Sequence, residues 1–114
     1  MIDIARILRT AIHHCDVAIA YGEDQETRSD ALADAAGLRI VAVYENIAKL
    51  PESIQGEILG EDIHALRGMR NRIVHGYETV DSFLLRNTLT SDVPRLRQAL
   101  ITVAKRYPQD RPEG

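Results

Sequence analysis

The sequence has a single cysteine, no long apolar run and no excess of basic residues. The lone thiol, Cys15, excludes an intramolecular disulfide, and its place on an apolar helical stripe is typical of a small core residue rather than of a nucleophile. No run approaches the roughly 18 apolar residues that a membrane span requires, and the opening MIDIARILRT lacks the apolar core of a signal peptide. We therefore expect a cytoplasmic protein that makes no use of a membrane.

The net charge of −3 excludes a protein that coats nucleic acid through its overall charge. Any contact with nucleic acid must be local. The one dense basic cluster consists of Arg67, Arg70 and Arg72. A solvated helix face is the ordinary explanation of such a cluster, and contact with RNA is the alternative.

No stretch alternates between apolar and polar residues over the length of a strand, so the predicted fold is all-α. The 114 residues, 45% apolar and 27% charged, fit one globular domain. We place this domain at residues 1–107 and expect the segment PQDRPEG, residues 108–114, to be a disordered tail because it contains no apolar residue.

Apolar residues at helical spacing predict an antiparallel bundle of four main helices. These run from Ile2 to about Tyr21 with Gly22 as the stop, from about Thr27 to Leu50 before Pro51, from Glu61 to Val74 or His75, and from Asp81 to about Tyr107. Residues 51–60 are expected to form a helical turn and loop punctuated by Gly56 and Gly60. Pro94 should kink or split the last helix, with Ser91 or Asp92 as the N-cap.

The stretch LRGMRNRIVHGYE, residues 66–78, places an arginine inside an apolar stripe. At about 100° per residue, Arg70 falls within the sector of the apolar side chains of the third helix. Arginine keeps its proton, so burial requires a carboxylate, a set of carbonyls or an anionic ligand as partner. The alternative is that the side chain extends past the apolar edge into water.

Asn71 and His75 lie on the opposite face, four residues apart, so the amide can orient the imidazole. Arg70 and His75 differ by about 140° on a regular helix. They converge only through the reach of the arginine, through unwinding of the last turn near Gly76, or through a second copy of the helix. We favour a homodimer, because a two-fold interface brings both copies of each group to one cleft.

A metal site is not expected. His13, His14 and Cys15 are adjacent on a helix and diverge by about 100° each, so they cannot hold one ion together. His64 shares a face with His75 but lies about three turns away, which is too far for joint ligation. It is a candidate for RNA contact, with a surface histidine as the alternative.

Together Arg70, Asn71, His75 and Tyr77 spell RN-x3-H-x-Y. This motif resembles the HEPN superfamily, and specifically the HepT-like toxins of HepT–MntA toxin–antitoxin systems. The likeness extends to the helix broken by DVPRLRQAL and to ENIAKLP at the end of the second helix. One departure lies in that second helix, where many relatives carry an IGEA-like stretch and this chain has VYENIA.

The resemblance implies a HEPN-like, all-helical homodimer with a composite ribonuclease site. It also implies an MntA-like minimal nucleotidyltransferase as antitoxin, which transfers AMP to the motif tyrosine, here Tyr77. On residue type alone, Tyr77 is better explained as a packing residue with a hydrogen-bonded hydroxyl, whereas the resemblance favours the modified tyrosine.

RNA carries its own nucleophile, the 2′-hydroxyl, so cleavage needs proton transfer and charge stabilisation but no metal or other cofactor. The hypothesis assigns His75 as general base or acid, Arg70 as stabiliser of the phosphoryl oxygens and Asn71 as the group that orients His75. The expected products are a 2′,3′-cyclic phosphate and a 5′-hydroxyl.

Two other functions are compatible with a helical bundle. The first is a non-catalytic subunit that presents substrate to a separate nucleotidyltransferase, and the second is a purely structural dimerisation bundle. Neither requires arginine and histidine at this spacing.

Overall fold

The computed structural model describes residues 2–23, 29–60, 67, 68, 70, 71, 74 and 82–108. Its helices are α1 (Ile4–Glu23), α2 (Ser29–Ala48), α3 (Glu52–Leu59), α4 (Ser82–Asn87), a π-helical turn (Thr88–Asp92) and α5 (Val93–Ala104). These ranges contain no strand, and the predicted all-α fold is confirmed. Residues 109–114 lie outside the described residues, so the disordered tail and the domain boundary at 107 stay predictions.

Asp3 fixes the start of α1. Its carboxylate Oδ1 accepts a hydrogen bond from the backbone N–H of Arg6 at 3.0 Å, and its carbonyl accepts one from the N–H of Ile7 at 3.1 Å. A carboxylate at this position satisfies a backbone donor that the first helical turn leaves without a partner. The helix therefore begins at Ile4, slightly later than the apolar spacing predicts.

Gly22 lies inside the last turn of α1 and is buried. A Cβ atom added to it would lie only 2.7 Å from the Cβ of Leu89 in the π-helical turn. The helix thus extends one residue past the predicted stop at Gly22, and the missing side chain of this glycine serves close packing between two elements.

The connection from α2 to α3 is short and its backbone is satisfied by a side chain. Pro51 precedes α3, and the amide of Gln55 donates to the carbonyl of Leu50 at 2.7 Å. At the far end Gly60 adopts a positive φ of 49°. Gly56 lies within α3, so Gly60 is the one of the two predicted punctuating glycines that ends an element.

The last helical region is split ahead of Pro94, as predicted. In the π-helical turn the N–H of Val93 donates to the carbonyl of Thr88, five residues earlier. This wide turn gives room to the proline ring, which would otherwise press on the preceding helical turn. Asp92 makes no side-chain cap, because its carboxylate instead forms an ion pair with Arg95 at 2.9 Å.

One continuous core lies where α1 packs against α2 and α5, and α5 against α3. The largest fully buried side chains are Leu8, Cys15, Ile47, Leu85, Leu89, Val93 and Leu100. The buried stripe of α2 consists of Ala36, Ile40, Val43 and Ile47. The outer side of α2 carries polar and charged side chains together with the exposed Leu38. None of the described helices has the length and apolar content needed to cross a membrane.

Candidate functional site

The helix that carries the RN-x3-H-x-Y motif, here called the motif helix, is described at Arg67, Gly68, Arg70, Asn71 and Val74, and all five positions are helical. This agrees with the predicted third helix. Four of the predicted site residues lie outside the described residues: His64, Arg72, His75 and Tyr77. Their places and roles therefore stay predictions, and the described part of the site is the arginine end of the motif.

Arg70 forms an ion pair across two helices. Its Nη2 donates to Oε1 of Glu45 on α2 at 2.8 Å. The carboxylate is one of the three partners that the sequence required for an arginine in an apolar stripe. The Arg70 side chain is 28% exposed and that of Glu45 is 49% exposed, so water screens the pair and its contribution to stability is small. Orientation of the guanidinium is the main effect.

Tyr44, the residue before Glu45, supplies a second contact. The guanidinium carbon of Arg70 lies 5.5 Å from the centre of the Tyr44 ring, within the range of a cation–π interaction. The Tyr44 hydroxyl accepts a hydrogen bond from Nε of Arg67 at 3.3 Å. One tyrosine thus touches two arginines of the predicted basic cluster and connects the motif helix to α2.

Asn71 supplies a third contact. Its Oδ1 accepts a hydrogen bond from Nη1 of Arg70 at 3.1 Å. The amide therefore orients Arg70, whereas the predicted contact with His75 lies outside the described residues. Among the described residues the Nε of Arg70 is buried and has no hydrogen-bond partner. Since a guanidinium carries five N–H donors, these contacts leave donors available to an incoming anion at the exposed side.

Sequence reasoning did not find Tyr44 and Glu45. Both residues fall in the stretch VYENIA of α2, so they were visible in the sequence. Nothing in the spacing of α2, however, indicates which of several acids on its outer face meets an arginine 25 residues away.

The other candidate residues behave as the helical spacing predicts. His13 is exposed and Cys15 is completely buried. Burial raises the pKa of the Cys15 thiol to about 12, which keeps it protonated and confirms its role as a core residue. Within the described ranges no three His, Cys, Asp or Glu side chains are grouped so that they could hold a metal ion.

The fold and this cluster define a class: an all-α protein in which side chains of α2 fix an arginine of the motif helix. The chain belongs to the ribonuclease HepT-like family, whose sequence model matches residues 5–103. This range includes the whole RN-x3-H-x-Y motif and confirms the resemblance to the HepT-like family of the HEPN superfamily. No curated protein and no solved structure matched the chain.

Proposed function

We propose that this protein is a toxin ribonuclease of a toxin–antitoxin pair. It cleaves RNA without a metal at a composite site that Arg70 and His75 of two copies form together. The observation that carries the proposal is the guanidinium of Arg70, which Glu45 of α2 and Asn71 of the motif helix hold in place. The chain that carries this motif helix belongs to a ribonuclease family.

Arg70 is suited to a phosphodiester. Its planar group binds the Glu45 carboxylate, and phosphate oxygens present a similar geometry. In the RNA complex a phosphoryl oxygen approaches the exposed side of the same guanidinium. The contacts from Tyr44 and Asn71 hold the group in place, so little reorganisation is needed as negative charge develops in the transition state.

His75 supplies the proton transfers. As general base it takes the proton of the 2′-hydroxyl, and as general acid it protonates the leaving 5′-oxygen. The two roles require two imidazoles or one that exchanges its proton between steps, and a homodimer supplies both copies. The products are a 2′,3′-cyclic phosphate and a 5′-hydroxyl.

Tyr77 is the proposed acceptor of AMP from an MntA-like nucleotidyltransferase antitoxin. It lies two residues after His75 in the sequence. An attached AMP brings bulk and negative charge close to the place of the RNA phosphate, and both effects oppose RNA binding. After co-expression with the partner enzyme, mass spectrometry should find AMP on the Tyr77 peptide. Persistent toxicity together with an unmodified peptide would reject this part of the proposal.

The central experiment incubates the purified protein with single-stranded RNA in EDTA. We expect cleavage to continue, with 2′,3′-cyclic phosphate ends, and to disappear in Arg70→Ala and His75→Ala variants. Loss of cleavage on chelation, or 3′-hydroxyl ends, would reject the metal-free scheme.

Growth after induction tests the biological role. The wild-type chain should arrest cells, and His75→Ala should not. A wild-type chain that binds a nucleotidyltransferase but neither cleaves RNA nor arrests growth would instead support the non-catalytic subunit.

A further inference from the structure

An open groove runs between α1 and α2. It has a volume of about 470 Å³ and is lined by His14, Tyr21, Ala35, Leu38, Arg39 and Ala42. None of these six residues is acidic. Leu38 is 71% exposed, which is unusual for a leucine on a helix whose opposite side is core. The groove therefore combines a cation, two rings and an apolar surface that faces water.

Arg39 and His14 form a pair within this groove. Nη1 of Arg39 lies 3.0 Å from Nδ1 of His14. Because a guanidinium can only donate, Nδ1 is the acceptor, and the imidazole is neutral with its proton on Nε2. Burial, Arg39 and then His13 lower the pKa of His14, which favours the same neutral form. The pair presents N–H donors and keeps the positive charge of the arginine.

The charge of Arg39 is not compensated by the described residues. Among them, ion pairs are formed by Arg70, Arg95, Arg97 and Arg106, and no carboxylate lies within ion-pair distance of Arg39. A half-buried cation beside a neutral imidazole attracts an anion more strongly than a paired one does.

One edge of the groove, formed by Leu38 and Ala42, belongs to the same helix that holds Arg70. Leu38, Ala42 and Glu45 are spaced i, i+4 and i+7 and share one stripe of α2, and Glu45 holds Arg70. Arg39 and Glu45 are separated by about 9 Å along the helix axis, at 1.5 Å per residue, and by about 120° around it. A few nucleotides of single-stranded RNA bridge such a distance.

We propose that this groove is a second binding subsite for single-stranded RNA, in which Arg39 and His14 bind a backbone phosphate and Leu38 and Tyr21 contact a base. The inference rests on the proposed function, since the strand continues from the groove to Arg70. Proteins bind single-stranded RNA through cationic grooves in which bases lie on aromatic and apolar side chains, and this groove has both elements.

The test compares Arg39→Gln with Arg9→Gln in the full chain. Each variant removes one positive charge. Arg9 is an exposed arginine of α1 that does not line the groove, so it serves as the control for loss of charge elsewhere on the surface. Affinity for a fluorescent single-stranded RNA is measured in EDTA at several KCl concentrations, together with kcat and KM for cleavage. Arg39→Gln should weaken binding about tenfold and reduce the slope of log affinity against log salt by about 0.7, the value for one phosphate contact.

The remaining expectations separate a charge effect from damage to the fold. For Arg39→Gln, KM should rise more than kcat falls. Arg39→Lys should restore the salt slope, because it restores the charge, and only part of the affinity, because it lacks the planar group. Arg9→Gln should behave as wild type. Thermal unfolding followed by circular dichroism identifies a variant that does not fold.

The outcomes distinguish this inference from the proposed function. If wild type cleaves RNA but Arg39→Gln and Arg9→Gln have the same affinity and salt slope, the second subsite is rejected and the ribonuclease stands. If wild type does not cleave RNA but Arg39→Gln lowers RNA affinity and Arg9→Gln does not, the ribonuclease is rejected and the RNA-binding subsite stands. If Leu38→Ser turns a dimer into a monomer in light scattering, the groove is an interface between copies and the inference is overturned.

Discussion

Two arginines lie at α2, Arg39 as a residue of that helix and Arg70 as its neighbour on the motif helix, and they differ in what holds them. Arg70 is bound by a carboxylate, an amide oxygen and an aromatic ring. Arg39 is bound by a neutral imidazole nitrogen. The first site compensates the charge of the guanidinium and fixes its direction, whereas the second leaves the charge uncompensated among the described residues.

This difference suggests that the two arginines have different roles, one in catalysis and one in RNA binding. A guanidinium that stabilises a transition state must be oriented before the reaction, and its residual charge matters less than its geometry. A guanidinium that attracts a distant phosphate of the same strand requires charge and tolerates imprecise geometry. The following substitutions separate orientation from charge at both positions.

The largest effect is expected for Arg70→Lys. Lysine keeps the charge but cannot reproduce the planar group that contacts Glu45 and Asn71. The single-turnover rate of RNA cleavage should fall about 100-fold, the usual loss when one transition-state donor is removed. The same change at Arg39 should leave that rate within about threefold. Equal losses at the two positions would remove the distinction between them.

Stability measurements accompany this comparison. Since the Arg70–Glu45 pair is partly exposed, the free energy of unfolding in urea should change by less than about 1 kcal/mol in Arg70→Lys. A larger change would mean that the loss of activity reports damage to the fold.

The second largest effect is expected for substitutions of Glu45, whose carboxylate pairs with Arg70. Glu45→Ala removes the acceptor that orients Arg70, and kcat should fall about tenfold, as for a lost hydrogen bond to a charged group. Glu45→Gln keeps an acceptor oxygen but not the charge, so kcat should stay within about threefold and KM for RNA should decrease. Unchanged kinetics in Glu45→Ala would remove its positioning role.

Glu57 provides the matched control for these variants. It is also an exposed carboxylate paired with an arginine, Arg106, but its pair connects α3 to the end of α5. Glu57→Ala should leave kcat and KM unchanged. A loss of activity equal to that of Glu45→Ala would assign the effect to general surface charge.

The sequence predicted the buried helix faces and the need of Arg70 for a partner, but not which residue this partner is. The inner stripes of α1 and α2 follow from periodicity, because burial imposes the 3.6-residue repeat directly on the apolar residues. The need of Arg70 for a partner follows from the cost of burying a cation. Its identity does not follow, because the pairing of Glu45 with Arg70 depends on how two helices are placed side by side.

At two predicted helix ends the structure differs in detail from the local signal. Glycine is a residue type that often ends a helix, but Gly22 allows α1 to pack closely against Leu89, which is far away in the sequence. Asp92 stands at the predicted N-cap position, but its backbone is helical and its carboxylate pairs with Arg95, so it makes no side-chain cap. Local signals fail where tertiary contacts decide the backbone.

A smaller effect is expected at Tyr44. Tyr44→Phe keeps the ring beneath Arg70 and loses the hydrogen bond from Arg67, so cleavage should remain close to that of wild type. Tyr44→Leu removes the ring, and kcat should fall about two- to fivefold, which matches the usual free energy of an exposed cation–π contact. Tyr107, which contacts Arg106 at 6.0 Å, is the control, since Tyr107→Leu should not alter kcat. A stronger effect of Tyr44→Phe than of Tyr44→Leu would contradict this order.

The smallest effect concerns pH and the Arg39 site. The pKa of His14 is lowered from its ordinary value of 6.5 in the folded state, first by burial and then by Arg39. Below pH 6.5 the unfolded chain therefore binds more protons at this residue than the folded chain does, and stability decreases as the pH falls. Well above pH 6.5 both states hold the neutral imidazole and the contribution no longer changes.

The difference between wild type and His14→Gln isolates this contribution, because the other titrating groups are common to both. The free energy of unfolding in urea between pH 5 and 7, a range chosen around the ordinary pKa of histidine, should fall more steeply with acid in wild type. In Arg39→Gln the slope should be shallower than in wild type but should not vanish, because burial of the imidazole remains. His13→Gln should retain most of the wild-type slope, since His13 contributes least to the shift. A slope in Arg39→Gln as steep as in wild type would mean that the guanidinium does not act on His14, and the contrast between the two arginine sites would then rest on Arg70 alone.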